Sequence, residues 1–461
     1  MTDAADPREP CDILLRNALI LTLDDADAIH ADGAIAIGGN RIRAVGPGAE
    51  ITRAWRARRV IDCKGAIVMP GFINVHNHTP LMITRGMVED LGYAPMYVAD
   101  IPQGHHLDAH ETFRLSLLGA YELLRAGSTT VMDFYRNPAS CARAHAQIGL
   151  RSVIAGRIHD ADPDALSRGQ YTYDPAIGRA TAQENIRLIE EWDGFDGGRI
   201  RCDFAPHAPD TCSDDLLREV ARLAAGHGGN IHTHLAQSEA EVRMLIETRG
   251  RTPAETLEDA GLLDARTIAA HCIWLEGKDI ARIGAAGITV AHSPIGNAKS
   301  GTIAPITDLA GAGARIALCS DTMSGDMFEA LRWAVSMQRI RSGAMVLDAR
   351  TAIGWATREG ARALGLDDEI GALTVGRKAD LVVLEKTEPM LAPVVDGYGI
   401  LAYSANGACV DISIIDGRIV LEGGRLTMCD GEEIVMQAQA ISDDLWRRAG
   451  RAPIHDARTR A

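Results

Sequence analysis

The chain lacks several patterns that would assign it to common functional classes. Its 461 residues contain no apolar segment approaching the roughly 18 residues that indicate a transmembrane helix. The first residues, Met1 to Asp6, have neither a basic start nor an apolar run, so no signal peptide is expected. The net charge of -15 argues against binding to nucleic acid or to an anionic membrane, because both need a basic face. We therefore expect the partner to be a small molecule, neutral or cationic.

Cysteine pairing is also missing. The nine cysteines are odd in number, scattered, and never spaced as Cys-X-X-Cys. We interpret them as free thiols of a reducing compartment, which predicts a cytoplasmic protein. Hydrophobic residues make up 46% of the chain, enough for a sizeable core. The length allows two or three domains, or one large α/β barrel with an addition.

Strand-like and helical stretches alternate between residues 70 and 365, which is typical of a parallel sheet with crossover helices. Thr181 and Glu184 match a capping box, and Ser213 is placed to cap the helix that follows it. The fold class is therefore α/β, and eight strand-helix units predict a (β/α)8 TIM barrel. The predicted strands are 73–78, 129–134, 151–158, 199–204, 230–235, 267–271, 288–292 and 316–319.

The two ends of the chain have a different pattern, in which short strands are separated by turns. Residues 1–69 and 366–430 both show it, and neither contains recognisable chemistry. We expect them to form a small β-sandwich domain built from both chain ends, a discontinuous arrangement that flanks the barrel at 70–365. Residues 431–461 are predicted to be a C-terminal helix and a tail.

One short motif suggests a metal site. Asn74, His76 and His78 alternate with Ile73, Val75 and Asn77 in the first barrel strand, so both imidazoles should point to the same face. Two neutral imidazoles can bind one divalent metal ion. The motif alone is weak, since 15 histidines in 461 residues give about 0.5 such pairs by chance. A second pair, His232 and His234, is indeed present.

The spacing of further candidate ligands strengthens the case. Almost all of them fall at the C-terminal ends of predicted strands, which form the catalytic face of a TIM barrel. A random scatter of histidines would not favour this face so consistently. The residues concerned are His76, His78, His207, His234, His271, His292 and Asp321.

These motifs resemble those of the amidohydrolase superfamily. The similar branch contains S-adenosylhomocysteine/methylthioadenosine deaminases, cytosine deaminase-like enzymes and triazine hydrolases (chlorohydrolases). The resemblance covers nearly the whole chain and includes the return to the terminal domain. The matching segments are PGFINVHNH at 70–78, PHAP at 206–209, HTHLA at 232–236, AHC at 270–272, AHSP at 291–294, SD at 320–321 and GALTVGRKADLVVL at 371–384.

The resemblance implies a mononuclear site. His76, His78, His234 and Asp321 would bind one divalent metal per chain, with zinc preferred and iron, manganese and cobalt left open. His271 would hold or deprotonate the metal-activated water, and Asp321 could accept its proton. His207 would contact the substrate. The family also implies a homodimer or homotetramer.

Gln237 is a departure from the family pattern. The deaminases usually have glutamate at this position, where it protonates a ring nitrogen, and an amide cannot donate a proton in that way. Glu239, two residues further on, is the alternative acid. The loop at 86–108 carries Glu89 and Tyr97, and we expect either a substrate-binding loop or an oligomer contact there. His292 is either a pocket residue or a structural one.

The sequence thus predicts a metal-dependent hydrolase that cleaves a C–N bond of a small nitrogen-containing heterocycle, as a deaminase does. A hydrolase of amides, ureas or carbamates, or a heterocycle chlorohydrolase, is the alternative, since those leaving groups need less help from an acid. The remaining alternative is a metal-binding module without turnover.

Overall fold

The computed structural model describes residues 6–91, 94–322 and 324–451. The chain begins with five strands that differ in burial: the fifth is buried throughout, the second is buried over its C-terminal half, and the fourth has no buried residue. A short helix, α1 (Gly48–Ala54), lies between the third and fourth strands. The strands are β1 (Glu9–Leu21), β2 (Ile29–Gly38), β3 (Arg41–Pro47), β4 (Trp55–Asp62) and β5 (Ile67–Pro70).

The middle of the chain contains parallel strands whose residues are almost all buried, as expected of strands covered on both faces. The strands are β6 (Phe72–Asn77), β7 (Ser128–Tyr135), β8 (Arg151–Ile158), β9 (Ile200–Cys202), β10 (Ala205–Pro206), β11 (Ile231–Leu235), β12 (Thr267–His271), β13 (Thr289–His292) and β14 (Arg315–Leu318). Their order is β10-β8-β7-β6 with β9 beside β8 in one sheet, and β11-β12-β13-β14 in the other. The α/β class with parallel strands is therefore confirmed.

The two parallel sheets approach each other at both edges. A parallel bridge joins Phe204 to Ile231, and another joins Asn77 to Asp321. The predicted strand at 199–204 is interrupted here, since β9 ends at Cys202 and β10 begins at Ala205. The main chain at Asp203 instead donates to the carbonyl of Ile154.

Helices connect these strands, and their capping side chains explain where several begin. Asp108 accepts from the backbone N–H of Glu111 at the start of the second helix, and Ser213 caps the seventh helix as predicted. The prediction of a capping box at Thr181 and Glu184 was wrong. The fifth helix begins at Pro175, after Asp174, so Thr181 lies inside the helix and its hydroxyl donates to the carbonyl of Ile177. The helices are α2 (Ala109–Arg125), α3 (Pro138–Ile148), α4 (Pro163–Leu166), α5 (Pro175–Trp192), α6 (Phe195–Gly198), α7 (Asp214–His227), α8 (Glu239–Arg249), α9 (Pro253–Asp259), α10 (Lys278–Ala286), α11 (Pro294–Lys299), α12 (Ile306–Gly311), α13 (Met327–Ser342), α14 (Ala349–Trp355), α15 (Arg358–Ala363), α16 (Gly397–Tyr403) and α17 (Gly431–Arg448).

The last four strands return to the first five. β15 (Leu381–Leu384) pairs with β5, and β16 (Val410–Ile415), β17 (Arg418–Glu422) and β18 (Arg425–Leu426) extend the same sheet. The result is one continuous nine-stranded sheet made by both ends of the chain. Buried Arg151 of β8 connects it to the parallel strands through ion pairs with Asp380 and Asp416.

Helix α17 packs beside α2 on the outside of the parallel strands. Its Ala438 and Leu445 are buried with Leu81 and Ile83, and the indole of Trp446 donates to the carbonyl of Ile83. The predicted C-terminal helix is thus present, while residues 452–461 of the tail lie outside the described residues. Over the described ranges, no helix is both long and apolar enough to cross a membrane.

Candidate metal centre and active site

The candidate ligands converge at the C-terminal ends of the parallel strands. Nε2 of His78 lies 3.2 Å from Nε2 of His234. Asp321 Oδ1 lies 3.7 Å from His76 Nε2 and 3.9 Å from His78 Nε2, and its Oδ2 lies 3.9 Å from His271 Nε2. Two overlapping groups of side chains are therefore each close enough to hold an ion: His76 with His78 and His234, and His76 with His271 and Asp321. A cavity of about 290 Å³ opens beside them.

Backbone carbonyls set the orientation of two of the imidazoles. Nδ1 of His78 lies 2.7 Å from the carbonyl oxygen of Phe134, and Nδ1 of His234 lies 2.7 Å from that of His207. Because a carbonyl can only accept, each Nδ1 carries the hydrogen and each Nε2 keeps its lone pair. Contacts of this kind fix the tautomer of metal-binding histidines.

The histidines are also electrically suited to a cation. Burial lowers the pKa of His78 and of His271 to about 4, and the pKa of His76 and His234 falls well below the usual value. All four are therefore neutral at pH 7, the form that binds metal. His76 Nε2 is buried without a hydrogen-bond partner in the described residues. A buried atom of this kind needs an explanation, and a divalent metal supplies one.

Two asparagines of β6 position the carboxylate. Asn74 donates to the hydroxyl of Ser320 over 2.7 Å, and Asn77 donates both to that hydroxyl and to the carbonyl of Asp321. Asp321 adopts a positive φ of 60°, and His271 one of 75°. Such backbone strain costs on the order of 1–3 kcal/mol per residue and is concentrated at functional sites. Burial raises the pKa of Asp321 to about 7, so the carboxylate gains from a nearby cation.

The predicted substrate residues are only partly brought together. The cavity is lined by His207, Glu89, Tyr97, Gln237 and Glu239, among others. Glu239 lies at its mouth, where the side chain is 62% exposed and pairs with Arg243.

Two other histidines are placed differently. His292 is fully buried and is not among the residues that line the cavity. His232 points its Nε2 to Asp203 over 2.9 Å, away from the ligand cluster.

Several cavity residues were missed from the sequence. Arg157, Trp274 and Lys299 all line it, and Lys299 Nζ lies 3.7 Å from Glu89 Oε1. Arg157 had one usable signal, since it is a single charge in the otherwise apolar run Val153 to Ile158. Trp274 follows β12 and Lys299 is the last residue of α11, and nothing in the local sequence of either residue marks it as part of the site.

Buried neutral imidazoles and a carboxylate at the ends of parallel strands define a metal-dependent hydrolase with an α/β fold. The chain belongs to the amidohydrolase family, whose model matches residues 67–420. The resemblance in the sequence is thereby confirmed. As a member it is a hydrolase of carbon–nitrogen bonds other than peptide bonds, and a divalent metal belongs to its chemistry.

Named relatives fall in the same family. The chain is 34% identical over 434 residues to a 5-methylthioadenosine/S-adenosylhomocysteine deaminase of Pelotomaculum thermopropionicum, covering 93% of this chain and 97% of the relative. It is 32% identical over 445 residues to a 5'-deoxyadenosine deaminase of Methanosarcina acetivorans, covering 95% and 99%. A solved adenosine deaminase of Xanthomonas campestris with bound zinc superposes with a TM-score of 0.84 at 27% identity, covering 95% of this chain and 99% of that one.

Proposed function

We propose that this chain is a zinc-dependent aminohydrolase that releases ammonia from a small amino-substituted nitrogen heterocycle. One observation carries the proposal: His76, His78, His234, His271 and Asp321 converge beside a cavity large enough for such a ring. The relatives named as deaminases of adenosine derivatives support the choice of reaction.

His76, His78, His234 and Asp321 would hold the metal. A divalent ion in this position acts as a Lewis acid and lowers the pKa of a water molecule toward about 7. The neighbouring carboxyl of Asp321, whose pKa is raised by burial, is matched to accept a proton near neutral pH. His271, held 3.9 Å from that carboxyl, is the second group able to orient the water.

On the substrate side, we assign the ring contact to Gln237 rather than Glu239. Gln237 follows directly on the strand end that carries His234, whereas the carboxylate of Glu239 is mostly in solvent and paired with Arg243. His207, next to His234 with 4.7 Å between ring centres, would contact the reacting part of the ring. Glu89 and Tyr97 of the loop at 86–108 would contact the remainder.

The missing acid at 237 favours a second candidate. An amide, urea, carbamate or halogenated heterocycle has a leaving group that departs with less protonation, so hydrolysis of one of these is the alternative reaction. A metal-binding module without turnover is the third, and a single confirmed turnover dismisses it.

We also propose the finer architecture. The two edge bridges support a closed eight-stranded barrel at 70–365. The shared nine-stranded sheet supports a β-sandwich domain made of 1–69 and 366–430. The cytoplasmic location and the homodimer or homotetramer stay predictions.

The test combines metal analysis with product detection. The purified chain should contain about one zinc per chain, and His234→Ala should lose it. His232→Gln is the matched control, because His232 lies on the same strand but bonds to Asp203. Ammonia and halide are then measured with aminopurines, pyrimidines, pterins and triazines. Absence of metal from every preparation overturns the site, and halide without ammonia selects the alternative.

A further inference from the structure

The side chain of Gln237 is held by a hydrogen-bonded chain. Its Nε2 lies 3.1 Å from the hydroxyl oxygen of Tyr97, and that hydroxyl lies 2.9 Å from Oδ2 of Asp210. The backbone is fixed as well, since the N–H of Gln237 donates to Glu241 Oε2 over 2.8 Å and that of Ala236 to Oε1 over 2.9 Å. Neither end of the residue is free to turn.

The direction of these hydrogen bonds starts from Asp210, whose Oδ2 accepts from the Tyr97 hydroxyl. Burial raises the pKa of both Asp210 and Glu241, and repulsion by Asp210 adds to the rise for Glu241. Tyr97, whose pKa is raised well above its usual value by burial, keeps its proton and must donate it to Asp210.

That donation determines which way the amide faces. A phenol has one hydrogen, so the Tyr97 oxygen can only accept from its second neighbour. It therefore requires the NH2 group of Gln237, and the amide oxygen is left on the opposite side. Gln237 lines the cavity, and no hydrogen bond from residues in the described ranges reaches its Oε1. The cavity thus contains a fixed acceptor where the resemblance to the deaminases implies an acid.

We propose that Gln237, locked by Tyr97 and Asp210, selects heterocycles that present a ring N–H next to the amino-bearing carbon. This rests on the proposed deaminase function and narrows its substrate class to amino-lactam rings. A ring with an unprotonated nitrogen at that position would set a lone pair against the amide oxygen, which has no hydrogen, while the NH2 group of Gln237 is turned toward Tyr97. Selection by such a mismatch is strong because a desolvated polar pair is left unsatisfied.

Matched ring pairs test the selection. Guanine, isocytosine and pterin each carry an N–H beside the amino-bearing carbon. Their methyl lactim ethers, methoxylated at position 6 of guanine and at position 4 of isocytosine and of pterin, keep the oxygen but lose that hydrogen. For each lactam that it accepts, the zinc-loaded native enzyme should release ammonia with a kcat/KM about tenfold or more above that for the matching lactim ether. Binding of the same pairs is measured by calorimetry. Higher kcat/KM for the lactim ethers, or for adenosine with its unprotonated N1, overturns the proposal.

Tyr97→Phe tests the lock itself. Without the hydroxyl the amide can rotate and donate to an unprotonated nitrogen, so the preference should fall to within about threefold. Tyr173→Phe is the matched control. The hydroxyl of Tyr173 also lies at Asp210 but donates to its main-chain carbonyl, so this variant should leave the preference for lactams unchanged. An undiminished preference in Tyr97→Phe overturns the lock. If no ring releases ammonia, the deaminase function fails, and the calorimetric preference alone then decides the selection.

Discussion

Replacing Arg157 with methionine should stabilise the fold while lowering activity. The Arg157 side chain is almost fully buried, with 4% of the residue exposed. Its Nε and Nη2 have no hydrogen-bond partner in the described part of the chain. Its guanidinium carbon lies 4.9 Å from the ring centre of Tyr135, and burial lowers its pKa. This is a charge held at the cavity wall with little compensation.

The size of the effect follows from these contacts. Two buried donors without partners cost about 1–3 kcal/mol each. Loss of the contact with the Tyr135 ring offsets up to about 2 kcal/mol of that. Methionine has a similar length and no polar hydrogen, so the net gain after loss of the full ring contact should be about 0–4 kcal/mol, close to the range for replacing buried charges by apolar residues. The midpoint of thermal unfolding should rise by up to roughly 4 °C, since a chain of 461 residues shifts by about 1 °C per kcal/mol.

Arg151 on the same strand provides the control. Its Nε lies 2.6 Å from Asp380 Oδ2 and its Nη2 lies 3.2 Å from Asp416 Oδ1. Arg151→Met would leave buried Asp380 without its ion-pair partner and Asp416 with Lys378 alone, and it should cost about 3–5 kcal/mol. Thermal unfolding is followed with saturating zinc for all three proteins, and ammonia release gives kcat/KM. If Arg157→Met unfolds at a lower temperature than the native chain, the guanidinium stabilises the fold and the reasoning is wrong.

Three further results are expected. Gln237→Glu should raise kcat/KM for rings with an unprotonated nitrogen about a hundredfold, because a carboxylic acid can donate the missing proton; an unchanged value would mean that position 237 does not face the ring. A chelator should abolish ammonia release and lower the unfolding temperature, and zinc should restore both, whereas activity surviving full metal removal would contradict the site. Burial raises the pKa of both Asp210 and Glu241 above the unfolded values of about 3.9 and 4.3, so the folded state binds more protons at this pair. The contribution of the pair to the free energy of unfolding should therefore fall as the pH rises above about 4, whereas the buried histidines, whose pKa is lowered, contribute the opposite slope. The slope of the free energy of unfolding in urea against pH should accordingly be more positive in Asp210→Asn than in the native chain, and an equal slope in both proteins would refute the assignment.

Much of the architecture could be predicted because it depends on local patterns. Alternation of strand and helix periods located the parallel strands to within a few residues, and Ser213 marked a true helix start. Failures came where local patterns were ambiguous. Thr181 and Glu184 have the spacing of a capping box, but Asp174 and Pro175 provide an earlier start, and the helix runs through both residues.

The family and the candidate metal ligands could be predicted from the amino-acid sequence, because strand period and chain order place imidazoles and a carboxylate at the ends of strands. How those residues are used depends on contacts that only the folded chain makes. The directions of hydrogen bonds depend on groups that are far apart in the chain, such as Tyr97, Asp210 and Gln237. Charge states depend on burial, and burial is a property of the assembled fold. Arg157 is the clearest case, since a lone charge in an apolar strand shows neither its desolvation nor its lack of partners until the surrounding strands are in place.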